Sequence, residues 1–180
     1  MRILLLGSAL SLGFSLFLTP LFIRLFASIG WGQFIRQDGP KTHYAKRGTP
    51  TMGGIVILLA IVFGYFTAHL IEGAPPSQSA LLVIGLMVAL GFVGFLDDYA
   101  KIRQQRSLGL SPRSKVIGQI LVSVTFAVLA VSFPDSDGQT PAAPGMSLVR
   151  NADLIDFSQW GQVGVLVGFA VWATLIIVGT

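Results

Sequence analysis

The sequence contains no cysteine and few charged residues. Without cysteine the chain has neither disulfide bonds nor thiolate metal sites, so any metal must be bound by oxygen ligands or by the two histidines. Charged residues make up 11% of the 180 residues and apolar residues 53%, and the mean hydropathy is +0.75. These values lie well outside the usual range of soluble domains. The composition therefore predicts an integral membrane protein.

Five apolar stretches are long enough to cross a bilayer, for which an α-helix needs about 20 residues. They are residues 3–23, 52–71, 79–96, 116–133 and 160–178. The first is longer than the apolar part of a usual signal peptide and is therefore counted as a span. We predict an all-α integral membrane fold, in which residues 1–180 form a single membrane domain, a polytopic bundle of five transmembrane helices.

Lysine and arginine are concentrated in two of the segments between these spans. Ten of the 12 basic residues lie in residues 24–51 and 97–115, while the link over 134–159 is mainly acidic. Because short loops rich in lysine and arginine stay on the cytoplasmic side of a membrane, we expect both basic loops to be cytoplasmic. The N-terminus would then lie outside, and Thr180 would lie at the cytoplasmic face.

Two adjacent carboxylates, Asp97 and Asp98, directly follow the third span. An ionised carboxylate at the edge of the hydrocarbon is costly unless cations, a metal or water compensate its charge. Negative charge at the C-terminus of a helix also opposes the helix dipole. The pair is therefore a candidate functional site. The simpler alternative is a helix end in headgroup water, at which Lys101 pairs with the two acids.

The first basic loop combines turn formers with basic side chains. Gly39-Pro40 and Thr49-Pro50 disfavour helix, and Gly53-Gly54 begins the second span. Such a loop at the start of a helix suits an anion such as a phosphate. Orientation of the chain and contact with anionic lipids would explain the charge equally well. The loop matches neither the GxxxxGK[ST] nor the GxGxxG motif, which excludes the common nucleotide-binding folds.

Taken together, these motifs resemble those of the phospho-N-acetylmuramoyl-pentapeptide-transferase family. This family belongs to the polyprenyl-phosphate N-acetylhexosamine-1-phosphate transferases, glycosyltransferase family 4. The resemblance is carried by Gly39-Pro40, His43, Lys46, the Gly-Thr-Pro-Thr-Met-Gly-Gly string at 48–54, the Asp-Asp-Tyr-Ala-Lys string at 97–101, Leu110-Ser111, Lys115 and Gln119. The string at 48–54 is its most specific part, because related families share the acidic pair.

The resemblance implies a reaction and a location. The reaction is transfer of phospho-N-acetylmuramoyl-pentapeptide from its UDP-linked precursor to undecaprenyl phosphate, which gives lipid I and UMP in peptidoglycan synthesis, with Mg²⁺ as the cofactor. The location is the bacterial inner (plasma) membrane, in which the protein would be multi-pass. The expected partners are the two substrates and the lipid bilayer, without nucleic acid, and a homodimer stays open as an assembly state.

The resemblance also implies roles for individual residues. Asp97 would handle the lipid phosphate, as the base that removes its proton or as its positioning partner, and Asp98 would support it or approach the metal. Lys46 and Thr51 would contact the nucleotide substrate, Lys101 and Lys115 would bind phosphate, and His43 is a further substrate-binding candidate. Asp98 is the one metal ligand expected in this chain, because the main ligand of the family lies in a later loop.

The chain differs from the family pattern in its length. Members are about twice as long, with about ten spans, and their later cytoplasmic loops carry an Asn/Asp-rich motif and a histidine-rich motif that this sequence lacks. We therefore expect an N-terminal half that does not catalyse transfer by itself. The alternatives are a related transferase for another sugar nucleotide and a non-catalytic helical membrane protein. The latter is disfavoured, because the predicted spans lack the Asp, Glu, Lys and Arg that transporters place near the bilayer midplane.

Overall fold

Five helices dominate the computed structural model, which describes residues 1–32, 51–106, 108–134, 140–142, 145–149 and 152–179. They are α1 (Arg2–Ile29), α2 (Gly54–Glu72), α3 (Gln78–Gln104), α4 (Pro112–Ser132) and α5 (Gly161–Gly179). Each is long and apolar enough to cross a membrane. The prediction of an all-α multi-pass membrane fold is thereby confirmed.

A short antiparallel hairpin precedes α5 and was not predicted. It pairs β1 (Gly145–Val149) with β2 (Ala152–Asp156), and a single 3₁₀ turn over Phe157–Trp160 leads from it into α5. Strands of five residues leave little periodicity for a sequence pattern to reveal. The hairpin connects two helices and does not change the fold class.

Helix α3 continues for about two turns beyond Leu96, where the apolar run ends. The added turns contain Asp97, Asp98 and Lys101, whose i,i+3 and i,i+4 spacing allows ion pairs along the helix. Basic residues in the last turn also interact favourably with the helix dipole. The acidic pair therefore lies on a helix, and the connection to α4 is reduced to residues 105–111.

Large apolar side chains cover the outside of the helices, whereas most of the buried positions are small. Leu5, Phe17 and Leu175 are exposed, while Ala68 and Ala127 are fully buried. Small residues let helix backbones approach closely, and an apolar exterior matches the solvent properties of lipid. This distribution agrees with a helix arrangement inside a bilayer.

The described residues divide into two compact units. The first consists of Met1–Pro76 and Leu90–Lys115, and the second of Ser77–Ala89 and Val116–Thr180. The second contains an open groove of about 720 Å³ whose lining residues, including Leu86 and Phe126, carry no charge. This groove offers no ionised group for chemistry, and the acidic pair with its lysines lies in the first unit.

Close packing of α1 against α2 gives the first unit its frame. Phe14 and Phe63 stack with their ring centroids 4.3 Å apart. A Cβ added at Gly64 would overlap the Ser11 hydroxyl and would lie 2.7 Å from the Gly7 carbonyl oxygen. Since the backbone of α1 cannot give way as a flexible side chain can, Gly64 is required for this contact.

We expect Gly64→Ala to lower the free energy of unfolding by about 1–3 kcal/mol, the usual cost of overpacking. The matched control is Gly13→Ala, because a Cβ at Gly13 on α1 meets no atom within 4 Å. The measurement is thermal denaturation of each variant in detergent, followed by size-exclusion chromatography of the surviving folded fraction. Equal melting of the two variants would contradict the packing assignment.

Candidate active site

The acidic pair on α3 consists of two carboxylates in different environments. The Asp97 side chain is 12% exposed, whereas that of Asp98 is 35% exposed. Successive residues of a helix point about 100° apart, so one carboxylate can face inward while its neighbour faces a more open side. The two aspartates are therefore not equivalent, although the sequence places them side by side.

Asp97 is held by three donors. Its Oδ2 lies 2.8 Å from Lys101 Nζ, and its Oδ1 lies 3.0 Å from Lys115 Nζ. The main-chain N–H of Leu110 donates a second hydrogen bond to Oδ1, with a length of 2.8 Å. Two ammonium groups and one amide thus compensate the charge that burial would otherwise make costly.

Lys101 bridges the two carboxylates. Its Nζ lies 2.8 Å from Asp97 Oδ2 and 2.8 Å from Asp98 Oδ1. Within the described residues, Asp98 has no polar partner besides Lys101, so its second oxygen remains available. The site therefore combines an inner carboxylate whose two oxygens are both engaged, a shared lysine and an outer carboxylate with one oxygen free to accept.

The start of α4 brings Lys115 to the pair. The Ser111 hydroxyl accepts a hydrogen bond from the Ser114 N–H at 3.2 Å, as an N-cap does, and Pro112 occupies the first helical position. Lys115 donates its main-chain N–H to the Ser111 carbonyl oxygen and lies one turn into the helix. This Ser-Pro start fixes where the Lys115 side chain leaves the backbone.

Thr51 lies at the entrance to α2, in the same unit. Its main-chain N–H donates to the Trp31 carbonyl oxygen at 3.4 Å, and the Trp31 ring lies 6.1 Å from that of Tyr99, the residue after Asp98. The Thr51 hydroxyl is buried and has no hydrogen-bond partner among the described residues. Met52 follows with φ 69°, a left-handed conformation that is strained for a non-glycine residue. An unpaired buried hydroxyl next to a strained residue is typical of a functional segment.

The structure brings together four of the predicted site residues. They are Asp97, Asp98, Lys101 and Lys115, which are joined by the ion pairs described above. Thr51 is linked to them indirectly, because its N–H donates to Trp31 and the Trp31 ring contacts that of Tyr99. Lys46 and His43 lie outside the described residues.

The sequence did not indicate two groups that contribute to the site. One is the main-chain N–H of Leu110, and the other is Gly109, which packs against Asp97. The Leu-Ser pair at 110–111 did form part of the family resemblance, but a main-chain donor leaves no signal in side-chain chemistry. Only the folded connection between α3 and α4 reveals both contacts.

The described residues contain no group of three or more His, Cys, Asp and Glu side chains that could bind a metal. Asp97 has its charge compensated by lysines, which leaves the outer carboxylate of Asp98. Mg²⁺ retains several waters and is usually bound by one or two protein carboxylates together with substrate phosphates. The chemistry of Asp98 fits that limited contribution.

Comparison with known proteins adds two findings. Residues 46–58 match the family model described as phospho-N-acetylmuramoyl-pentapeptide-transferase signature 1, which contains Thr51 and the start of α2. Proteins that carry the name phospho-N-acetylmuramoyl-pentapeptide-transferase are similar over nearly the whole chain. That of Kineococcus radiotolerans is 53% identical over 98% of the chain, that of Clavibacter michiganensis 54% over 97%, and that of Saccharopolyspora erythraea 47% over 99%. The chain covers 49%, 48% and 48% of these relatives, about half of their length.

Proposed function

Because the chain belongs to the phospho-N-acetylmuramoyl-pentapeptide-transferase family, in which it corresponds to the N-terminal half, we propose that it supplies half of an enzyme that makes lipid I. The reaction transfers phospho-N-acetylmuramoyl-pentapeptide from its UDP-linked precursor to undecaprenyl phosphate and releases UMP. The carrying observation is the identity of about half the residues over 98% of the chain. The activity and both substrates are part of this proposal.

The proposed orientation puts the acidic pair on the cytoplasmic side of the plasma membrane. Basic segments are retained in the cytoplasm, and the residues that follow Leu96 include Lys101, Arg103 and Arg106. With the first basic segment on the same side, the N-terminus lies outside. This orientation supports the proposed reaction, because a soluble UDP-linked precursor would then meet a membrane-embedded lipid phosphate at the site. The homodimer stays a prediction of the family resemblance.

The ion-pair cluster, formed by Asp97, Asp98, Lys101 and Lys115, suits a reaction between two polyanions. An oxygen of the lipid phosphate forms a bond to the sugar-linked phosphorus, and the bond from that phosphorus to UMP breaks. Such a reaction depends on positioning and charge neutralisation more than on a strong nucleophile. Lys115, with its side chain 44% exposed, is the more accessible of the two lysines and is the better candidate to bind a phosphate. Lys101 is engaged by both carboxylates.

We include Mg²⁺ in the proposal, with Asp98 as its ligand in the described part of the chain. A bound magnesium ion would neutralise charge on the phosphate oxygens. Asp98 supports this role through its second carboxylate oxygen, which has no partner among the described residues. The remaining ligands of the magnesium ion would be water, substrate oxygens and residues outside this chain.

The proposal is tested in a full-length chimaera, in which these 180 residues replace the matching half of the Kineococcus radiotolerans relative. Membranes that contain the chimaera should form lipid I from UDP-linked muramoyl-pentapeptide, undecaprenyl phosphate and Mg²⁺. The 180-residue chain expressed by itself should not. If an otherwise well-folded chimaera used another UDP-linked amino sugar instead, the related-transferase alternative would be correct. No transfer with any sugar nucleotide would favour a non-catalytic membrane protein.

We expect Thr51→Val to raise the KM of the chimaera for the UDP-linked substrate about 5-fold, because one hydrogen bond contributes on the order of 1 kcal/mol. Valine has nearly the shape of threonine, and the Thr51 hydroxyl has no partner among the described residues. The thermal stability of the variant should therefore stay within error of the parent. Thr51→Ser, which keeps the hydroxyl, is the matched control and should retain the parent KM. A stability loss without a change in KM would indicate a structural hydrogen bond instead.

A further inference from the structure

The inner carboxylate of the pair rests on the backbone of the connection between α3 and α4. The Leu110 N–H donates to Asp97 Oδ1, and the preceding residue, Gly109, lies directly against Asp97. A Cβ added at Gly109 would overlap Asp97 Oδ1 and would lie 2.6 Å from the Asp97 carbonyl oxygen and 2.7 Å from Cγ. Both the side chain and the helix backbone at Asp97 would therefore oppose any larger residue at 109.

We propose that Gly109 and the Leu110 N–H form a main-chain seat for Asp97, and that Asp97 is a positioning residue which fixes Lys115. The catalytic meaning of this seat rests on the proposed function. The seat and the two lysines engage both oxygens of the inner carboxylate, which gives Asp97 the task of orienting an ammonium group. Gly109 and Leu110 thereby contribute to the site through their main chain, although neither offers a reactive side chain.

Three features support a positioning role for Asp97. Its side chain is 12% exposed, and both of its oxygens already accept from donors. A phosphate approaching it would have to displace a lysine and would meet a like charge. Lys115, by contrast, is 44% exposed, and its Nζ is 3.0 Å from Asp97. An anionic substrate therefore reaches Lys115 more readily than it reaches Asp97.

The requirement for glycine at position 109 arises from space and not from backbone conformation. Gly109 does not have a positive φ, in contrast to Gly30, Gly73 and Gly161. Its backbone conformation is one that alanine could adopt, so a single added methyl group tests the contact with Asp97 directly. Gly94 on α3 is the matched control, because a Cβ there meets no atom within 4 Å.

The first arm of the test measures catalysis in the chimaera. We expect Gly109→Ala to lower kcat about 10- to 100-fold, because a displacement of about 1 Å at a positioned group has effects of that size. The KM values for both substrates should change less than kcat, with rates normalised to folded protein recovered by size-exclusion chromatography. Gly94→Ala should keep the parent kcat. Asp97→Asn preserves the shape of the seat but removes the charge that holds Lys115, and it should likewise lower kcat with little change in KM.

The second arm is independent of catalysis. Because the chain has no cysteine, Leu108→Cys gives a single attachment point for a nitroxide, and Leu108 is 66% exposed. In the 180-residue chain in lipid nanodiscs, the electron paramagnetic resonance spectrum should show an ordered label in the parent and in Gly94→Ala. In Gly109→Ala the label should be more mobile, because the connection can no longer close on Asp97.

The two arms separate failure of the seat from failure of the proposed function. An unchanged spectrum in Gly109→Ala would overturn the seat, whatever the chimaera does. A changed spectrum with parent kcat in both Gly109→Ala and Asp97→Asn would overturn the positioning role. If the parent chimaera makes no lipid I, the proposed function fails, and the spectrum still decides whether the seat exists.

Discussion

Asp98→Asn in the chimaera is expected to lower kcat/KM for lipid I formation about 100- to 1,000-fold, the usual effect of removing one preorganised electrostatic group from a reacting centre. Asparagine keeps the size of the side chain and its hydrogen bond to Lys101, so the ion-pair cluster should keep its geometry. What is lost is the negative charge on the oxygen that has no partner among the described residues. The loss should therefore appear in catalysis and not in folding.

Magnesium dependence gives this variant a second measurement. If Asp98 contributes one ligand, Asp98→Asn should raise the Mg²⁺ concentration for half-maximal activity about 10-fold or more. Losses of metal affinity of this size are usual when a group that supports a metal site is removed. Glu72→Gln is the matched control, because it removes a carboxylate from the exposed end of α2. Activity of Asp98→Asn within a factor of about three of the Glu72→Gln control would exclude a catalytic role for this carboxylate.

The positions of the helices could be predicted because hydropathy reports burial in lipid directly. The predicted span at 52–71 matches α2 (Gly54–Glu72) within two residues, and the span at 160–178 matches α5 (Gly161–Gly179) within one. The end of α3 could not be predicted in this way. Its last two turns contain Asp97 and Lys101, and their helical state depends on side-chain pairs and on the helix dipole, which hydropathy does not measure.

The candidate site was predictable to the extent that its contacts are local. Lys101 lies three and four residues after the two aspartates, so helical spacing alone allows both ion pairs. Lys115 and the Leu110 N–H reach Asp97 across a change of chain direction. Those two contacts depend on how the connection over 105–111 folds back, which no periodic pattern encodes. The difference in exposure between Asp97 and Asp98 is a tertiary property for the same reason.

Lys101→Met should give the largest stability loss among the site variants, on the order of 2 kcal/mol, which is below the usual cost of breaking a fully buried ion pair. Methionine keeps most of the apolar stem, so the loss reports the ammonium group. That group lies 2.8 Å from both Asp97 and Asp98, and its removal leaves two adjacent carboxylates, one of them buried, without their shared counter-charge. The cost is moderate because the Lys101 side chain is 35% exposed and water can partly replace it.

The matched control for Lys101→Met is Arg103→Met, which removes a positive charge from the same last turn of α3 at an exposed position. Both variants change the interaction with the helix dipole, so their difference isolates the two ion pairs. Thermal denaturation in detergent should show Lys101→Met melting well below Arg103→Met, and Lys101→Arg should recover part of the difference because it restores the charge. Equal melting of the methionine variants would mean that the lysine contributes nothing to holding the acidic pair. Its role would then be the phosphate contact that the family resemblance implies.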